Sequence, residues 1–157
     1  MIFVADTGPL NYLILIGHID ILRPLYGEVV IPPAVQQEML ASLAPPLVRS
    51  WMSDPPPWLE VRTPGRLDIA LNPMLDEGEW EAIALAYMAG QGSVVLIDDR
   101  VGRLEASRLG FRVTGTLGIL EQAHKRGLLN IRDAIQLLRT TNFKASEALL
   151  QSFSDLK

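Results

Sequence analysis

Short runs of apolar, often β-branched residues, each followed by a helical stretch, limit what this chain can fold into more than any other feature. They are Ile2 to Ala5, Glu28 to Ile31, Trp58 to Arg62, Val94 to Ile97 and Phe111 to Thr114. The first stops at Asp6-Thr7-Gly8-Pro9, which reads as a turn, the second at Pro32-Pro33 and the fourth at Asp98-Asp99. Helices are predicted over residues 10–16, 19–25, 34–43, 76–90, 101–109 and 117–126, with two more at 131–140 and 145–155. The helix from Asp76 carries acids in its first turn and Gly90 at its end. Between residues 44 and 58 stand Pro45, Pro46, Pro55, Pro56 and Pro57. These predict no long regular structure, at most one turn around Leu47 to Met52. Strands this short and apolar suit a sheet covered on both faces, and strand–helix alternation makes that sheet parallel. With 157 residues, 48% of them hydrophobic, one α/β domain is expected over residues 1–157, burying roughly 70% of its unfolded surface.

Composition narrows the chemistry. There is no cysteine, which excludes disulfides, thiolate zinc sites and cysteine nucleophiles. The only histidines, His18 and His124, are far apart, so any metal must be held by oxygen. The net charge of −4 conceals an asymmetry. Residues 1–99 carry 4 basic and 13 acidic side chains, residues 100–157 carry 10 basic and 5 acidic. An acidic site beside a basic surface for a polyanion fits that polarity. Asn11, Gly17, His18 and Asp20 interrupt the longest apolar stretch, well short of the ~20 residues that span a bilayer. With no basic leader at Met1, a cytoplasmic location is expected.

Acids recur wherever a parallel sheet would place a ligand, beyond the carboxyl ends of its strands. Asp6 follows the first strand, Glu38 lies on the helix after the second, Glu79 and Glu81 lie on the helix before the fourth, and Asp98-Asp99 follow the fourth. Taken singly each has a simpler account, as a turn residue, a helix cap or a surface acid. Taken together, carboxylates converging from the first and fourth strands and two flanking helices would repel one another unless a divalent cation joined them. Mg²⁺ or Mn²⁺ in such a cage supports displacement at phosphorus, and the implied chemistry is phosphodiester hydrolysis.

Four segments carry a family resemblance: Asp6-Thr7 after the first strand, Pro33-Ala34-Val35-Gln36-Gln37-Glu38, Gly78-Glu79-Trp80-Glu81-Ala82-Ile83-Ala84-Leu85-Ala86, and Leu96-Ile97-Asp98-Asp99 with Arg103 following. In this order and spacing they resemble PIN-domain proteins, closest to a prokaryotic subfamily and distantly similar to VapC-type toxins and the nuclease core of flap endonucleases. The resemblance runs from Met1 to about Gly127, with residues 128–157 as a helical extension. It implies a three-layer α/β/α sandwich with a parallel five-stranded sheet of order 3-2-1-4-5 and a Mg²⁺- or Mn²⁺-dependent ribonuclease site. By matching, Asp6 and Glu38 would be the first two acids. Glu79 and Glu81, two residues apart on a helix, cannot both face one point, and Glu79 is favoured as the third because it starts the line Glu79, Ala82, Ile83, Ala86 that would face the sheet. Asp99 matches the fourth, leaving Asp98 as a helix cap or a residue behind the ligands. Thr7 is a further candidate, through its hydroxyl or through water. Gly8 departs from the small polar residue that many members carry at that position.

Other readings fit less well. Gly8 removes the second aspartate of a haloacid-dehalogenase-type phosphatase, no G-x-G-x-x-G follows the first strand, and a receiver domain lacks its late lysine before Lys125. Arg100 and Arg103 are the candidates to line a phosphate path for RNA. Apolar Ile135, Leu138, Leu149, Leu150 and Phe153 in the extension pack on the domain or offer a face to a homodimer partner or an antitoxin. The function expected is a metal-dependent ribonuclease, the toxin of a toxin–antitoxin pair; the alternative is a non-catalytic RNA-binding or protein-interaction module.

Overall fold

The computed structural model describes residues 1–157. Five parallel strands, β1 (Phe3–Ala5), β2 (Val29–Ile31), β3 (Leu59–Val61), β4 (Val94–Leu96) and β5 (Arg112–Thr114), form one sheet of order β3-β2-β1-β4-β5. Around it lie helices α1 (Thr7–Leu15), α2 (Leu22–Tyr26), α3 (Pro33–Leu40), α4 (Pro46–Ser53), α5 (Glu77–Ala89), α6 (Arg100–Arg108), α7 (Thr116–Lys125), α8 (Ile131–Leu138) and α9 (Glu147–Ser154), with a 3-10 turn at Ile19–Ile21. The α/β/α sandwich and its strand order are those expected. No helix is long and apolar enough to cross a membrane.

Strand alternation divides the core. Phe3, Ala5, Val29, Ile31, Val94 and Leu96 belong to the larger apolar cluster, shared with α1, α7 and α8, whereas Val4, Val30, Val95 and Ile97 join the smaller one under α5 and α6. Successive side chains of a strand point to opposite faces, so a residue's parity assigns it to a layer. In register, Val4 stands beside both Val30 and Val95, which makes β1 the central strand. The order reverses between β1 and β4, and the ends of those two strands open the crevice where the site forms.

Three local expectations are corrected. The Asp6-Thr7-Gly8-Pro9 turn does not form. Helix α1 begins at Thr7, because Pro9 falls in the first helical turn, where no intrahelical N–H is needed. The proline-rich segment holds a helix of 8 residues, α4, not a single turn. Pro45 and Pro46 sit at its N-terminus, where proline starts a helix, and Pro55 lies beyond its end. Helix α3 stops at Leu40 rather than running to residue 43. In the C-terminal part, Ile131, Ala134, Ile135, Leu138 and Leu150 are buried in the larger cluster and Phe153 packs against it, while Leu149 remains exposed.

Candidate active site

Asp6 is the first residue beyond β1, and its N–H donates to the carbonyl of Leu96 at 2.9 Å, so the sheet itself fixes the start of the site. Its carboxyl is buried. Burial first, and then the charges of Asp76, Glu38 and Asp99, push its pKa up to about 7. No basic side chain offsets them.

Glu38 reaches the same crevice from α3. It is exposed and accepts a 2.8 Å hydrogen bond from the Thr7 hydroxyl, so Thr7 orients an acid. Glu79 and Glu81 part company as helix geometry requires. Glu81 accepts from the backbone N–H of Ala34 at 3.2 Å, tying α5 to the first turn of α3. Glu79 is buried, with Oε1 accepting from the Asp76 N–H and its own N–H donating to Asp76. Asp76 and Glu79 thus form a reciprocal capping box at the start of α5. The other oxygen, Oε2, is buried without a hydrogen-bond partner and lies against Asp99. Burial and that contact raise the pKa of Glu79, while a proton on Glu79 holds that of Asp99 down.

Parity explains the next pair. Continuing β4, Asp98 falls on the α7 face and Asp99 on the α6 face. Asp98 accepts from the Thr116 N–H at 2.7 Å and the Thr116 hydroxyl at 2.6 Å, so it caps α7, the second helix along. Asp99 caps α6, accepting from the Gly102 N–H at 3.2 Å. Asp98 is thus a helix cap, but of α7 and not of α6, the helix directly after it. Close approach is needed on both sides. A Cβ at Gly102 would lie 2.3 Å from Ile97 Cδ1 and 3.1 Å from Glu79 Oε2, and one at Gly115 would lie 2.7 Å from Asp98 Oδ1. Arg103 Nη1 donates to the Ile97 carbonyl at 3.1 Å, so this guanidinium is anchored at the strand end. Arg100 is exposed at the start of α6.

Two cavities meet over Asp6. One, of about 590 Å³, runs past Glu38 and Asp76 toward Met39, Leu43 and Val48. The other, of about 460 Å³, runs past Asp98 and Asp99 toward Arg100 and Lys144. Asp76 was not singled out from the sequence, although Asp76-Glu77-Gly78-Glu79 has the spacing of a capping box and so could have placed it beside Glu79.

The family model described as PIN domain, DUF3368, matches residues 2–156. The chain belongs to the PIN-domain family. The match extends through α8 and α9. No curated protein and no solved structure matches the chain. A PIN domain is a nuclease-type fold, typically one that uses divalent metals. The donors of this PIN domain suit such an ion in kind: all are carboxylate oxygens, crowded without cations, and Glu79 Oε2 is a buried oxygen that only a proton or a cation can satisfy. In position they are paired rather than gathered, since no three acidic side chains surround one point.

Proposed function

We propose that this PIN domain is a Mg²⁺- or Mn²⁺-dependent ribonuclease that hydrolyses RNA phosphodiester bonds. The observation that carries the reading is the unpartnered Oε2 of Glu79 against Asp99, one strand away from the buried Asp6. A surface that only bound RNA would gain nothing from crowding carboxylates against an anion. Asp6, Glu38, Glu79 and Asp99 would hold the ion. Such a cation supplies acidified water and charge stabilisation for in-line displacement at phosphorus. Asp6 and Asp99 set the centre of the site from adjacent strand ends. Glu38, aimed by Thr7, closes it from α3. Asp76 holds Glu79 in place through the capping box.

The reading extends to a toxin restrained by an antitoxin protein, for which exposed Leu43 and Leu47 offer an apolar rim beside the larger cavity. A homodimer is proposed on the exposed Leu137 and Leu149. One observation favours a non-catalytic RNA-binding module instead, namely that no three carboxylates converge. Incubating labelled single-stranded and structured RNAs with Mn²⁺, Mg²⁺ or EDTA decides between them. Wild type should cut only with metal, and an identically purified Asp6→Asn protein should lose at least about a hundredfold in rate. Absent cleavage together with absent Mn²⁺ binding would transfer the protein to the non-catalytic reading.

A further inference from the structure

The two cavities share Asp6, Gly8, Tyr12 and Asn142, so they form one groove that passes over the acidic centre. Its ends differ. The end beside α3 and α4 carries Glu38 and Asp76 and an apolar wall, and no lysine or arginine lines it. The opposite end carries Arg100 and Lys144, the only cations lining either cavity. Both are exposed, and neither takes part in a salt bridge or side-chain hydrogen bond. Arg103, by contrast, is committed to the Ile97 carbonyl.

Lys144 does not reach the groove on a free tail. The segment between α8 and α9 is fastened to α1: the Tyr12 hydroxyl donates to Asn142 Oδ1 at 3.0 Å, and the Tyr12 and Phe143 rings meet edge to face with centroids 5.0 Å apart. Phe143 is part of the packed core surface. This clasp fixes the two residues that precede a lysine at the mouth of an acidic groove.

A polyanion crossing a centre lined by carboxylates needs its flanking charge neutralised elsewhere, and phosphate contacts from Lys and Arg supply that without reading sequence. We propose that Lys144, with Arg100, forms a phosphate-binding end of the groove, holding the RNA phosphate next to the one being cut. Lys144 is then a substrate-positioning residue, and the RNA strand runs from the cationic end, over Asp6 and Asp99, toward the apolar wall at Met39 and Val48. This inference rests on the ribonuclease reading for its substrate, but its test does not rest on cleavage alone.

Binding of a fluorescein-labelled single-stranded RNA of about ten nucleotides is followed by anisotropy across a salt series, in the Asp6→Asn background and without metal. Lys144→Glu should weaken binding about tenfold, and Lys144→Ala should flatten the slope of log K against log salt by about 0.7, the loss of one phosphate contact on a single strand. Lys144→Arg should restore both, which a merely structural role would not predict. Arg23→Ala, which changes an exposed cation of α2 outside either cavity, should bind like its parent. In the cleaving protein, Lys144→Ala should raise KM more than it lowers kcat. An unchanged slope and affinity in Lys144→Ala and Lys144→Glu would overturn the proposal even if wild type cuts RNA. Absent cleavage with a lysine-dependent slope would overturn the reaction and leave the groove assignment standing.

Discussion

Asp6 and Asp98 lie at the ends of neighbouring strands, yet their surroundings are opposite. Asp98 receives two hydrogen bonds from Thr116 and the field of Arg103. Asp6 faces Asp76, Glu38 and Asp99 with no cation to offset them. Burial still raises the pKa of Asp98 against these donors, whereas at Glu105, which accepts from the Asn72 N–H and from Arg108, the donors prevail and hold the pKa low. The contrast separates acids that hold the fold from acids that the fold must tolerate. Asp98 has two donors and a cation to set against burial, whereas Asp6 has only the Thr7 N–H against burial and three acids, and costs stability until something positively charged arrives.

The largest expected effect is at Asp6. Its pKa of about 7 in the folded protein exceeds the ordinary 3.8, so the native state keeps a proton that the unfolded chain has released. Stability of the metal-free protein should therefore fall as pH rises from about 4 through about 7. Asp6→Asn should remove the share of that slope due to Asp6, leaving the share due to Glu79, whose pKa is pushed up to about 8, and stabilise the protein at pH 7 by up to about 4 kcal/mol, read from urea titrations at several pH values. A flat profile in wild type would erase the distinction drawn here. Asp98→Ala should act in the other direction, losing about 2 kcal/mol because the N–H and hydroxyl of Thr116 are left without their acceptor. If the two substitutions shifted the urea midpoint in the same sense, the division into holding and tolerated acids would fail. The smallest change should follow Thr7→Val. Glu38 is exposed, so stability should move by no more than about 0.5 kcal/mol, while calorimetric titration should show Mn²⁺ binding weakened about tenfold as Glu38 loses its orienting donor.

Much of this arrangement was legible in the chain because strand ends are marked locally. Short apolar runs that stop at an acid located Asp6 and Asp99, and the two-residue spacing of Glu79 and Glu81 on a helix was enough to separate them. What was missed depends on contacts across the fold. Which of Asp98 and Asp99 caps which helix follows from strand parity and from where α7 begins, 18 residues after Asp98. Helix α4 escaped notice because prolines read as breakers until their position at a helix start is known. Asp76 was hidden by its ordinary role as a cap. Lys144 gave no local sign at all, since its place in the groove depends on a contact between Tyr12 and Asn142, 130 residues apart.

That contact also bears on the order in which the protein is made. All five strands are present once Thr114 has been synthesised, and with them Asp6, Glu38, Glu79 and Asp99. The wall carrying Asn142, Phe143 and Lys144 emerges from the ribosome only later. A nascent chain therefore contains every acid of the centre before the groove wall that would guide a strand across it, and a product truncated after Gly127 would lack Lys144 together with the core residues of α8.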